Sequence, residues 1–375
     1  MAMNKSPKIL LAPDSFKGSL SAGQVCEALA QGINDLMPDA EVISIPLADG
    51  GEGSLEAINY SLQAEEVKQF VKDPLWRTIT ASYLRKGETA YIEMAAASGL
   101  GLVKTNQRDP ELATTYGTGQ QIKHAVKNGA KTVYLFIGGS ATNDAGLGIG
   151  QALGFKFYDK KGVELLAGGE SLAQISTLRA PENPFEFDLK VVCDVQNPLY
   201  GENGAAFIYA PQKGADQSMV ERLDQGLRNF SEIVKTSLGK DVSQLPGGGA
   251  AGGVGAGMVA FFDAEILPGI ESIMELLNFD TQLKDVDYLI TGEGKLDQQT
   301  LSGKLIAGVA KKAKGKGIIS FAVCGKNELS KENLKQLGIS QVAVLTDPDI
   351  SVEYAMEHGA ELLSEKVKMF FQNRA

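Results

Sequence analysis

The sequence predicts an α/β protein of two domains, one built from both chain ends and the other inserted between them. Three observations carry this. Short apolar runs, each followed by a helical pattern, open the chain in the manner of an open parallel sheet. The same style returns in the last third. Between them lie alternating segments separated by turn residues, a meander and not a β-α unit. A length of 375 residues also suits two domains.

Lys8-Ile-Leu-Leu-Ala-Pro13 is fit for a buried parallel strand. Val25, Leu29, Ile33 and Leu36 recur at near-helical spacing after Ser21, and Pro38 follows the end. Val42–Leu47 reads as a second strand running into Ala48-Asp-Gly-Gly-Glu-Gly53, with a helix from Ser54. Glu66–Phe70, Ile79–Tyr83 and Ala90–Met94 form the meander. A helix over about 116–128, the strand Thr132–Ile137, a glycine-rich stretch Gly138–Gly150 and a helix to about Leu153 come next. The strand Lys190–Cys193 precedes Asp194, and a long helix covers about 216–238. A second glycine-rich stretch, Gly247–Gly257, leads into a helix from about Gly255. In the last third, Tyr288–Thr291, Ile318–Val323 and Gln341–Thr346 read as strands. Leu301–Lys314, Ser330–Leu337 and Val352–Phe371 read as helices. The expected domains are residues 1–70 with 285–375, and 71–284.

Composition narrows the function. The chain is 43% hydrophobic and 22% charged, ordinary for a soluble globular protein. Its 36 basic and 46 acidic residues give a net charge of −10, which argues against a nucleic-acid partner. A small anion, held by local N–H groups and one or two cations, remains compatible. Cys26, Cys193 and Cys324 lie far apart in apolar contexts and read as small buried hydrophobes. With two histidines they make no zinc pattern. The N-terminus lacks a signal-like apolar segment, and no run of 18 apolar residues occurs, so a cytoplasmic protein without a membrane partner is expected. Oligomeric state is not encoded in any pattern found.

The two glycine-rich stretches hold the strongest chemical signal. Glycine costs roughly 0.5–1 kcal/mol relative to alanine inside regular structure. Its use is close backbone approach, and successive N–H groups in such a loop suit an anion. In open α/β sheets ligands sit beyond the C-terminal strand ends. Five such ends here carry turn residues with carboxylates, hydroxyls or lysine: Asp14–Gly18, Ala48–Gly53, Gly138–Asp144, Asp194–Pro198 and Thr291–Asp297. Each has a plainer alternative. Asp194 reads as a general base or as a turn-forming cap. Lys17 reads as a point charge for an anion or as a solvated loop lysine. Asp49 and Glu52 read as Mg²⁺ ligands or as helix caps, and Thr142, Asn143 and Asp144 as site residues or caps. Glu293 and Asp297, four apart, would share a face on a helix. No G-x-x-x-x-G-K-[ST] or G-x-G-x-x-G pattern is present, which disfavours a standard P-loop or dinucleotide site.

In order along the chain, Ala12–Ser21, Pro46–Gly53, Glu93–Leu100, Ala113–Gly119, the first glycine stretch, Cys193–Leu199, Pro211–Gly214, the second glycine stretch and Ile290–Gln299 resemble the bacterial glycerate kinase family of the first type. Ala145 is a departure at a place where such loops often carry glycine. The resemblance implies ATP-dependent phosphorylation of D-glycerate, at the 2-hydroxyl, with Mg²⁺. It also implies a flavodoxin-like domain formed by both chain ends with a larger α/β domain inserted. Substrates would be the small molecules D-glycerate and ATP. Alternatives are transfer to the 3-hydroxyl, another small hydroxy acid, or a sugar-acid binder without turnover. Under this resemblance Asp194, Lys17 and Asp49 are the expected catalytic residues, Asp194 first as base. Ser15, Lys17, Ser98, Asn143, Asn197 and Lys213 are expected to bind substrate. Gly138, Gly139, Ser140, Thr142, Gly252, Gly253, Gly255 and Glu293 are expected to bind ATP. Asp49, Glu52, Asp194 and Asp297 are the expected metal ligands.

Overall fold

A strand as apolar as Lys8–Leu11 needs neighbours on both edges, and the far end of the chain supplies one of them. A computed structural model of the chain describes residues 6–51, 53–298, 300–302, 305–346 and 349–372. Leu10 pairs with Ile43 on one side and with Leu289 on the other, both in parallel. The full order across this sheet is Ile339–Val344, Ile319–Asn327, Tyr288–Leu296, Lys8–Leu11, Glu41–Ser44, every pair parallel. Counted in chain order within the sheet this is 2-1-3-4-5, the flavodoxin-like arrangement. The order reverses between Lys8–Leu11 and Tyr288–Leu296.

Helices cover this sheet for reasons visible in their ends and faces. Ser21 and Gln24 form a capping box at the start of Ala22–Leu36, which buries Val25, Leu29 and Ile33. On the same core Phe370 stacks on Phe321 at 4.5 Å. Several bounds differ from the sequence reading, among them that of the strand expected at Ile318–Val323, which is Ile319–Asn327. Val352–Phe371 is not one helix but Val352–Glu357 and Gly359–Gln372, broken at His358. A Cβ on Gly359 would stand 3.2 Å from Ser19 Oγ and Leu20 Cδ1, so glycine is placed where the second helix docks. The strand expected at Tyr288–Thr291 continues to Leu296, so Glu293 lies on a strand and shares no helical face with Asp297.

The described residues of 1–49, 56–63 and 269–375 form one compact unit, and those of 50–55 and 64–268 form the other. Residues 64–70 fall in the inserted unit because Glu65–Lys72 pairs along its whole length with Thr78–Lys86. Residues 269–284 fall in the unit of the chain ends. Gly308, lacking a Cβ, leaves room there for Ile270 and Met274.

The inserted unit has a mixed sheet in the order Glu265–Leu267, Asp188–Val192, Thr132–Phe136, Thr89–Glu93, Thr78–Lys86, Glu65–Lys72. The meander supplies its antiparallel side, and the remaining neighbours are parallel. Phe155, Phe157, Phe230 and Phe261 meet in its core. The small hairpin Lys156–Tyr158 with Thr177–Arg179 and the edge strand Glu265–Leu267 are too short to have shown as patterns. All three cysteines are buried and free, and burial pushes the Cys324 thiol up to about 12. Among the described residues no helix is long and apolar enough to cross a membrane.

Candidate active site

In the unit of the chain ends, a cavity of about 450 Å³ opens beyond the C-terminal strand ends, beside the reversal of strand order. Asp14, Ser15 and Lys17 enter it from the segment after Lys8–Leu11, and Asp49 from the segment after Glu41–Ser44. Glu293 and Asp297 come from Tyr288–Leu296 and the residue that follows it. Burial, and then the charge of Asp49, push the Asp14 carboxyl up to about 7. The Ser15 N–H and the Lys17 ammonium pull the other way. The Ser15 N–H donates to Asp14 Oδ1 at 2.6 Å. Thr300 donates its hydroxyl to Glu293 Oε1, fixing that carboxylate. Lys295 pairs with Asp297 at 3.4 Å and with Glu328 at 2.9 Å.

The inserted unit holds a second polar cluster, on the first glycine stretch. Asp144 is fully buried and accepts from Thr115 N (2.8 Å), Thr115 Oγ1 (2.9 Å), Gly146 N (3.1 Å) and Gly148 N (3.3 Å). It therefore performs the capping role, and the N–H groups it takes up are not offered to a ligand. The loop so fixed places Ser140, Thr142 and Asn143 beside Lys213. Lys213 Nζ donates to Thr142 O at 2.7 Å and lies 2.9 Å from Ser140 Oγ. Burial holds the Lys213 ammonium down to about 7, against the opposing pull of Asp144. Thr142 Oγ1 and both ends of the Asn143 amide are buried with no hydrogen-bond partner. Such atoms cost roughly 1–3 kcal/mol each and are rare in folded proteins. Residues expected to divide between substrate (Asn143, Lys213) and ATP (Ser140, Thr142) thus belong to one cluster.

The second glycine stretch has a different explanation from the one its composition suggested. A Cβ on Gly252 would stand 2.1 Å from Thr142 O, and one on Gly255 2.3 Å from Gly247 O. On Gly253 it would meet Leu199 and Leu227 at 3.0 Å, and the Gly253 N–H is already given to Gly249 O. Gly252 and Gly253 also have φ of +71° and +92°, which favours glycine. These residues let one backbone pass close under another. Gly138 is similar: its missing Cβ leaves room for Gly51, 2.5 Å away. Gly139 has φ of +71°, and its carbonyl accepts the Leu100 N–H.

Other expected site residues spend their side chains inside the protein. Ser98 is fully buried and shares a 2.8 Å hydrogen bond with Thr118. The Asn197 amide donates to Asn203 O and accepts from Tyr209, ordering the turn that follows Asp194. Asp194 itself is exposed, just beyond the strand Asp188–Val192. Glu52 lies outside the described residues. Among those described, no three His, Cys, Asp or Glu side chains gather as a metal-holding group. Asp49 and Asp297 line the cavity of the unit of the chain ends, and Asp194 follows a strand of the inserted unit's sheet. Asp14 was not among the expected site residues. The available signal was its position, the first carboxylate after an apolar parallel strand.

The family described as the glycerate kinase family matches residues 9–373. The chain is 42% identical over 365 residues to a glycerate kinase of Halalkalibacterium halodurans, covering 96% of each. It is 46% identical over 312 residues to the glycerate 2-kinase of Escherichia coli, covering 82% of each. Among solved structures it is similar to the crystal structure assigned as glycerate kinase 2 from Salmonella typhimurium, with TM-score 0.85 and 39% identity over 98% of this chain and 97% of that one.

Proposed function

Because the chain belongs to the glycerate kinase family, and is thus a kinase with ATP as phosphoryl donor, we propose that it phosphorylates D-glycerate at the 2-hydroxyl with Mg²⁺. A binder without turnover and a kinase for some other hydroxy acid are not favoured. One observation carries the reading at the level of residues. Three buried polar atoms of Thr142 and Asn143 lack partners next to a buried lysine. A small acid bearing a carboxylate and two hydroxyls supplies acceptors and donors for all of them.

The donor side rests on the carboxylates at the other unit's strand ends. Asp14 is pushed up in part by Asp49 and Glu293, a repulsion that a cation would relieve. Mg²⁺ commonly takes one or two carboxylates and keeps phosphate oxygens and waters for its other positions, so Asp14 and Asp49 suit it without a preformed cage. Bound there, it would supply charge neutralisation for the phosphates. Lys17 adds a positive charge on the same cavity wall. Phosphoryl transfer asks mainly for positioning and electrostatics. The glycerate 2-oxygen forms its bond to the γ-phosphorus as the bond to the bridging oxygen breaks. The hydroxyl proton passes to a carboxylate, for which Asp194 is our assignment.

The test is glycerate-dependent release of ADP, coupled to enolase so that only 2-phosphoglycerate is scored. Folded protein that releases no ADP with D-glycerate would sink the reading, and ADP release without enolase-competent product would move the transfer to the 3-hydroxyl.

A further inference from the structure

The cavity in the unit of the chain ends is larger and more apolar than a three-carbon acid needs. Its volume of about 450 Å³ lies within the roughly 300–1,000 Å³ of pockets that hold drug-sized ligands. One wall is made by Phe16, Leu305, Leu345, Val352, Ala355 and Met356. Glycerate, polar at every carbon, has no use for such a wall. Val352 and Met356 lie four apart on the helix Val352–Glu357, both facing the cavity, and are 55% and 42% exposed. Two large apolar side chains held open at a pocket mouth are what a flat heterocycle would cover.

The wall is firmly joined to the charged end. Ser19 donates its hydroxyl to Met356 O at 2.6 Å, and Gly18, at φ +79°, leaves 3.1 Å between a would-be Cβ and Met356 Cε. The same short segment carries Asp14, Ser15 and Lys17. An apolar wall at one end, carboxylates and a lysine at the other, and a place at the reversal of strand order fit a nucleotide with its base against that wall and its phosphates toward Lys17.

We infer that this cavity binds the base and ribose of the phosphoryl donor, against Val352 and Met356, with the polyphosphate directed to Lys17 and the Asp14–Asp49 carboxylates. The inference rests on the kinase reading above, but a test can separate the two. Mg²⁺-ADP is titrated by calorimetry into the whole enzyme and into Val352→Glu and Met356→Glu. Both positions are exposed enough to take a carboxylate without disturbing the core, and thermal melts check this. Each variant should lose about tenfold or more in ADP affinity. Affinities within about twofold of the unaltered enzyme in both would overturn the proposal. Photolabelling with an 8-azidoadenine nucleotide should mark peptides within residues 345–356 or 14–19. Labelling on residues 138–150 would overturn the site while leaving the kinase activity standing. Labelling in the cavity by a protein that fails to phosphorylate glycerate would support the site and defeat the activity.

Discussion

Lys213 is a buried cation whose two hydrogen-bond partners, Ser140 and Thr142, carry no charge. Burial holds it down to about 7 from an ordinary 10.5, and the sign of the consequence is fixed by linkage. Below the lower value both folded and unfolded chains hold the proton, so the full cost of burying the charge is present. Between the two values only the unfolded chain holds it, so this residue's contribution to stability rises with pH. Lys213→Met should therefore abolish part of the rise in denaturation midpoint between about pH 7 and about pH 9, measured against the unaltered enzyme. If Lys213 also receives substrate, the same variant should raise KM for glycerate. Asp194→Asn is the complementary case. Loss of a general base should lower kcat by roughly 10²–10⁴-fold with KM for glycerate little changed. Turnover within about threefold of the unaltered enzyme would remove Asp194 from that role. Lys213 was legible as a candidate from its motif, but its burial was not, because nothing local to Gln212-Lys213-Gly214 says what covers it. Asp14 was passed over for a related reason. Its raised proton affinity comes first from burial and then from Asp49 and Glu293, none of which is local in sequence.

At the level of elements, the two glycine-rich stretches show how one composition serves two ends. Glycine admits a ligand or another stretch of backbone by the same absence of a Cβ, and only the neighbour decides which. For the second stretch the neighbour is protein. Gly255→Ala and Gly253→Val should accordingly cost stability, about 1–3 kcal/mol or more from overpacking, visible as an earlier thermal melt. KM for ATP in the protein that remains folded should stay within about threefold, and a rise of tenfold without loss of stability would restore a phosphate-binding role. Ala145 sharpens the point. It stands where the family resemblance leads one to expect glycine, and it adopts φ of +49°. The left-handed region costs an L-residue roughly 1–2 kcal/mol. Ala145→Gly should thus fall near neutral in a denaturant titration, although it deletes a fully buried methyl group. Most helices and strands were legible because they pack with their own periodicity. The break at His358 was not, because Gly359 answers to Ser19 and Leu20, far away in sequence.

On the scale of the whole molecule, the parallel sheet of the chain ends depends on a pairing across almost three hundred residues, while the inserted unit is continuous apart from 50–55. A fragment of residues 64–268 should give a cooperative melt by circular dichroism, since its sheet and aromatic core are complete. Residues 269–375 alone should not, because they lack Lys8–Leu11 between Tyr288–Leu296 and Glu41–Ser44. The β-α style of both ends made the discontinuous arrangement legible. The limits were less so, because helix Gly269–Leu276 announces its partner only through the gap at Gly308.

The place of Lys8–Leu11 in the middle of that sheet has a consequence for the chain as it is made. The strand leaves the ribosome well before its partner Tyr288–Leu296, which is translated about 280 residues later. At roughly 5–20 residues per second it waits, with one edge unpaired, for on the order of tens of seconds. The inserted unit can fold in that interval, leaving a much shorter effective span to close when the last third arrives. Relocating the termini by circular permutation, so that Tyr288–Leu296 is synthesised directly before Lys8–Leu11, would shorten the exposure. A nascent-chain protease assay would then show earlier protection of Lys8 than in the natural order.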